Sequence, residues 1–148
     1  MIADDPARKD GADIIHLSAT DDLACARQVL ELGSAGLDAL AQSLDDTFIK
    51  VIDLLQSTKG RVVVSGMGKS GHVGRKMSST LASTGIPSFF VHPGEASHGD
   101  LGMIDRTDAV IAISNSGETP EMCNLVDYTR RFKIPLVVIT SKPSSNMA

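Results

Sequence analysis

Apolar positions in the first third of the chain recur at helical spacing. Ser18 and Thr20 precede a pattern in which Leu23, Leu30, Leu37, Leu40 and Leu44 form the expected buried stripe, as an amphipathic helix turns one apolar face to a core. Gly33 and Gly36 are expected to weaken or bend it. A second stretch, Phe48–Leu55, brings Phe48, Val51, Ile52 and Leu55 onto one helical face. Both helices read as packing elements, with nothing in them that suggests chemistry. Ahead of them, residues 1–17 are polar and mixed, and read as a loose tail.

From Arg61 the period changes. Val62-Val63-Val64 is a short β-branched run, followed by Ser65–Gly71 (SGMGKSG) and an expected helix from about His72 to Ser83. Gly85 and Pro87 break it before Ser88–Val91 (SFFV). The loop HPGEASHGDLGMIDRTD leads to Ala109–Ile113 (AVIAI). Then come SNSGETPE, a helix over about Pro120–Phe132, and a fourth strand, Ile134–Thr140 (IPLVVIT). Short continuous apolar strands alternating with helices predict an α/β fold, a three-layer sandwich with a parallel sheet between helices. The chain thus divides into a tail (1–17), N-terminal helices (18–60) and a core (61–148). Ser141–Asn146 reads as a loop leading into another helix, so a longer protein is the expectation, with the chain as its N-terminal part.

Composition narrows the options. A chain of 148 residues fits one domain, which at this size buries about 68–70% of its unfolded surface. Acidic residues (18) outnumber basic ones (14), and no lysine/arginine block appears, so neither a nucleic-acid partner nor an anionic membrane surface is expected. Any site for an anion has to be built locally. Cys25 and Cys123 lack CxxC spacing and lie in partly apolar, helix-like segments, which reads as reduced core thiols. The first residues carry no apolar leader, and no run approaches the roughly 18 apolar residues of a membrane span. A cytoplasmic protein is the expectation.

Ligands of an open parallel sheet bind outside the carboxyl ends of its strands. Two loops there are rich in glycine and hydroxyls: Ser65–Gly71, with Ser65 and Ser70, and Ser114–Thr119, with Ser114, Ser116 and Thr119. Glycine lets backbone amides approach a ligand, hydroxyls add donors, and a helix N-terminus adds a favourable dipole. Pro120 suits a first helical position, with Thr119 as its cap. One such loop reads as an ordinary strand-to-helix turn; two in one α/β unit favour a phosphate site. GMGKSG is not a P-loop, which needs four residues between its glycines. Gly66, Gly68 and Gly71 do match GxGxxG, but no acidic residue follows at ribose distance, which argues against a dinucleotide. A puzzle is left: SNSGETPE carries two carboxylates, Glu118 and Glu121, where an anion would sit.

The stretches GMGKSGHVGRKMSSTLASTGIPSFFVHPGEASHGDLGMI and AISNSGETPE resemble the sugar isomerase (SIS) domain, closely that of arabinose 5-phosphate isomerases of the KpsF/GutQ type, over about Arg61 to Ala148. The resemblance implies a parallel sheet of order 2-1-3-4-5, its fifth strand lying beyond this chain, and assembly as a homotetramer. It implies interconversion of D-ribulose 5-phosphate and D-arabinose 5-phosphate, the entry to Kdo and lipopolysaccharide synthesis. That chemistry separates the two acids. Glu121 matches a catalytic position and would move the proton between carbons; Glu118, nearer the phosphate donors, would face solvent or hold the loop. Lys69 matches the other catalytic position, where an ammonium would stabilise enediolate charge. By resemblance His92 is a possible zinc contact, with no cofactor required, and His98, Gly85 and Ile86 line the substrate. So does the segment 124–133, whose spacing reads equally well as packing. A further catalytic acid and histidine belong to the part of the family that lies downstream of this chain.

Bland readings stand beside these. Glu121 also suits the positive end of a helix dipole, and Lys69 is the sort of residue usually found solvated. A non-catalytic SIS module that senses a phosphorylated sugar is the rival function. The acidic N-terminal region lacks a basic helix-turn-helix, and a sensor has no need of Lys69 with Glu121. A purely structural α/β domain would bind no phosphorylated sugar at all.

Overall fold

The computed structural model describes residues 19–148; the tail, with His16 and Ser18, lies outside the described residues. Two compact units divide the chain, one ending at Leu44 and the other comprising Asp45–Ala148. In the first, α1 (Ala19–Ser43) runs through Gly33 and Gly36 without a break. The expected buried stripe is not buried: Leu23, Leu30, Leu37 and Leu40 are exposed, as is Leu44 beyond the helix end. A lone amphipathic helix has no second apolar layer in its own unit to pack against. Cys25 on this helix and Cys123 are free thiols, but both are exposed, so neither is a core residue.

The second unit opens with α2 (Asp46–Ser57), whose N-cap Asp45 accepts the Thr47 N–H at 2.8 Å. Leu55 packs against the sheet, so α2 belongs with the core rather than with α1. Then follow β1 (Val62–Gly66), α3 (Gly68–Ser83), β2 (Ser88–Val91) and the one-turn α4 (Pro93–Ala96). A 3-10 turn (Asp100–Met103), β3 (Ala109–Ile113) and a second 3-10 turn (Pro120–Met122) lead into α5 (Cys123–Phe132) and β4 (Leu136–Ile139). Helix α3 begins four residues before the expected His72, absorbing half of the first glycine loop.

All strand pairs are parallel, in the order β2-β1-β3-β4. The two central strands, VVVSG and AVIAI, are buried at every position, which is why they read as unbroken apolar runs. Their side chains still alternate between faces. Val62, Val64, Ile111 and Ile113 meet Met77 and Leu81 of α3 and Leu55 of α2 on one face. Val63, Val110 and Ala112 meet Leu125 and Val126 of α5, with Met122, on the other. Each fully buried valine contributes about 2 kcal/mol.

At the amino end the carboxylate of Asp108 ties β1 to β3. It accepts the Arg61 backbone N–H at 2.7 Å, the Arg61 guanidinium at 3.0 Å and the Asp105 N–H at 2.9 Å. Asp108 is 2% exposed. Burial pushes its pKa up, but the Arg61 side chain and the two backbone N–H groups outweigh that and hold it below the usual carboxylate range.

The carboxyl end is where the topology opens. The chain leaves β1 towards β2 on one side and leaves β3 towards β4 on the other, so right-handed crossovers place α3 and α5 on opposite faces. The loops after β1 and β3 therefore diverge, and adjacent strands with diverging loops form a crevice at the strand ends.

Candidate functional site

Gly66 pairs with Ile113, so the exits of β1 and β3 lie side by side. After β1 the turn is tight: a Cβ on Gly71 would stand 2.6 Å from the Gly66 carbonyl oxygen. Spacing that imitates a dinucleotide fingerprint thus serves a close strand-to-helix turn. Lys69 and Ser70 sit in the first turn of α3. Lys69 is exposed and outside the ion pairs formed among the described residues; Ser70 is half-buried. Ser65 corrects an expectation. It is fully buried and its hydroxyl donates to the Val91 carbonyl at 2.8 Å, so it joins β1 to β2 and is closed to a ligand.

The second loop is held together by its own hydroxyls. Ser114 is buried, and its Oγ lies 2.7 Å from Thr119 Oγ1 while accepting the Gly117 N–H at 3.0 Å. Either hydroxyl can be the donor of that pair, and Thr119 is the more accessible of the two. Ser116 Oγ accepts the Glu118 N–H at 3.2 Å and keeps its own hydrogen. Ser116 and Thr119 are thus the hydroxyls open to an anion, and the buried Ser114 supports them. Thr119 occupies the N-cap position, but its side chain makes no capping bond because it is held by Ser114. Glu121 lies in the 3-10 turn that follows, exposed and outside the ion pairs among the described residues.

The segment after β4 is stitched across this loop as a strap. Asn115 O accepts from Ser141 N at 3.2 Å, Ser141 Oγ at 2.7 Å and Thr140 Oγ1 at 3.3 Å. Gly117 O accepts the Met147 N–H at 3.2 Å, and the Met147 side chain is buried in the core beneath. Glu118 accepts the Asn146 backbone N–H at 2.8 Å and also the Asn146 side-chain amide. Those two bonds, with the field of Lys142, hold the Glu118 carboxyl below its usual range. Gly117 has φ 65°, and a Cβ there would collide with Ser145. A cavity of about 320 Å³ opens between this loop, α5 and Asn146. The roles of Ser141, Ser145, Asn146 and Met147 were not legible in the sequence: SKPSSNM has the composition of any polar loop, and its partners lie 25 or more residues upstream.

His92 follows β2, also at the carboxyl edge, and caps α4 by accepting the Gly94 N–H on Nδ1 at 3.2 Å. His98 lies exposed just beyond α4, in a loop tied to α5 by Asn124 Nδ2 donating to Ser97 Oγ at 2.9 Å. Gly85 and Ile86 are elsewhere. They follow the last turn of α3 and line a cavity with Gly60, Val62 and Pro87 at the amino end of the sheet, so one chain does not bring them to Lys69 and Glu121. Within 124–133, Leu125, Val126 and Thr129 face the core, as packing requires.

Residues 54–148 match the family model described as SIS domain. The chain belongs to the SIS domain family. Its matches include the arabinose 5-phosphate isomerase KdsD of Pseudomonas aeruginosa, 51% identical over 128 residues that cover 86% of this chain and 39% of that protein. The KdsD of Escherichia coli O157:H7 is 53% identical over 122 residues, 82% of this chain and 37% of its own length. The chain therefore spans about two fifths of the length of these relatives. Among solved structures, Escherichia coli CFT073 c3406 in complex with arabinose 5-phosphate superposes with a TM-score of 0.85 at 39% identity, covering 89% of this chain and 70% of that one.

The SIS resemblance also suggested zinc at His92. With Nδ1 engaged by Gly94, only Nε2 is left for a metal, and no group of three or more histidine, cysteine or acidic side chains converges among the described residues. Zinc normally takes four ligands. The described residues of one chain do not fit a zinc centre, and no chemical step is assigned to one.

Proposed function

We propose that this chain is the SIS part of an aldose–ketose isomerase that interconverts D-ribulose 5-phosphate and D-arabinose 5-phosphate, a cytoplasmic reaction supplying Kdo for lipopolysaccharide. The observation that carries the reading is the pairing of loops at the crevice. Lys69 follows β1 and Glu121 follows β3, on neighbouring strands, both outside the ion pairs among the described residues, with the Ser116 and Thr119 hydroxyls between β3 and Glu121. About 50% identity to KdsD proteins and likeness to the sugar-phosphate-bound structure support it.

Phosphate and reacting carbons lie at opposite ends of a pentose. Ser116, Thr119 and neighbouring amides hold the dianion by charge-assisted hydrogen bonds. Glu121 removes a proton from C1 of the ketose and a proton is added at C2, while the hydroxyl proton moves from O1 to O2. Lys69 stabilises the enediol(ate) charge between those steps. Ser70 and His98 stand on the same edge as further contacts to sugar hydroxyls. Gly85 and Ile86 reach the substrate only from a second subunit, which fits the homotetramer in this reading.

The test is conversion of ribulose 5-phosphate by this chain and by a chimaera in which its matched 128 residues replace those of the Pseudomonas aeruginosa relative. Turnover by the chimaera that survives a chelator is expected. Loss of turnover on chelation would bring a metal at His92 into the reaction. Binding of sugar phosphate with no conversion would instead identify a sensor, and absence of binding a structural domain.

A further inference from the structure

We infer that Glu118 and Asn146 form a latch that sets the phosphate affinity of the Ser114–Thr119 loop, making the segment after β4 part of the phosphate-binding unit. This rests on the phosphate site proposed above. A carboxylate one residue from Thr119 is unfavourable for a dianion unless something fixes it elsewhere. Both oxygens of Glu118 are engaged, one by the Asn146 backbone N–H and the other by its side-chain amide. The charge is thereby held against two N–H donors of the strap.

The Glu118 backbone makes a separate contact with the donors. The Glu118 N–H fixes Ser116 Oγ as an acceptor, which leaves the Ser116 hydrogen free for the ligand. On either side the strap is anchored independently, at Asn115 O by Ser141 and at Gly117 O by Met147, whose side chain is in the core. Between those anchors Ser145 Oγ is buried beside Gly117 with no hydrogen-bond partner among the described residues. A buried orphan hydroxyl is uncommon and disfavours the closed strap. The Glu118–Asn146 bonds lie between the two anchors and work against that cost, fixing the strap over the loop.

Binding of inorganic phosphate and of ribulose 5-phosphate by calorimetry tests the latch, with Glu118→Ala, Glu118→Gln, Asn146→Ala and the double Ala variant. Loss of the latch is expected to raise Kd about tenfold in Glu118→Ala. Glu118→Gln, which still accepts one N–H, should fall between, and Asn146→Ala should add nothing in the Glu118→Ala background. In the chimaera, Glu118→Ala should raise KM by the same factor with kcat within about twofold. Tighter binding by Glu118→Ala, which simple charge repulsion predicts, would overturn the latch; so would additive losses, or a fall in kcat at constant KM. Phosphate binding without isomerisation refutes the reaction while the Kd series still judges the latch. A wild-type chain that binds no phosphate refutes the latch whatever its turnover.

Discussion

At the scale of single residues, the two acids of SNSGETPE have different surroundings. Glu118 is tied down by Asn146, whereas Glu121 is exposed and outside the ion pairs among the described residues. An acid that exchanges protons with carbon has to be unencumbered. Glu121→Gln in the chimaera should therefore lower kcat by about 100- to 10,000-fold, the usual worth of a general base, with KM little changed. Unaltered turnover would remove Glu121 from the chemistry. Ser116→Ala deletes one donor to a charged group and should weaken binding about tenfold, leaving the melting temperature nearly unchanged. Equal affinity for inorganic phosphate in that variant would count against the cradle. Residue type and spacing marked Ser116 and Thr119 as candidates, whereas Lys69 and Glu121 became candidates through the SIS resemblance. Type and spacing could not reveal that Ser65 and Ser114 spend their hydroxyls inside the protein, since a serine at a strand end reads the same whether its partner is Val91 or a ligand.

Among elements, the strands were the most legible part of the chain. VVV and AVIAI are β-branched or small throughout because both faces are covered, and no helix of this fold needs such a run. Helix ends were less legible: α3 starts at Gly68, in a glycine-rich stretch whose local preference is for a turn. The partner of α2 was also hidden, because an apolar stripe does not say which layer it will meet. The join between β1 and β3 gives a sharp test. Asp108→Ala leaves the Arg61 side chain and two backbone N–H groups without their acceptor and should cost about 3 kcal/mol, read by urea unfolding at neutral pH. The carboxyl is depressed from an ordinary value of 3.8, so its contribution is complete above that pH and is lost as pH falls through the lower, folded value. The gap between wild type and Asp108→Asn should accordingly narrow below about pH 4. A gap that stays constant as the pH is lowered from neutral through that range would show that the charge has no part in it.

On the scale of the whole molecule, α1 carries an apolar face that its own unit leaves uncovered among the described residues. Leu30 is 73% exposed and Leu37 69%, more apolar surface than an isolated soluble helix sustains, and such faces mark contact surfaces. Under the homotetramer proposed above, Leu30→Ser with Leu37→Ser should shift the protein to a smaller species in sedimentation velocity while leaving the sheet's circular dichroism intact. An unchanged sedimentation coefficient would exclude this face from assembly. Strand order carries a consequence of another kind. During synthesis β1 emerges first, β2 next, and yet the seam that holds the core together joins β1 to β3, across partners 47 residues apart. Until residue 113 has left the ribosome, one side of VVV has no neighbour and the nascent sheet offers an apolar edge to anything nearby. Closure of so long a loop is slow, so the interval between the birth of β1 and that of β3 is when this chain most depends on a chaperone, a window that pulse-labelling of stalled nascent chains would bracket.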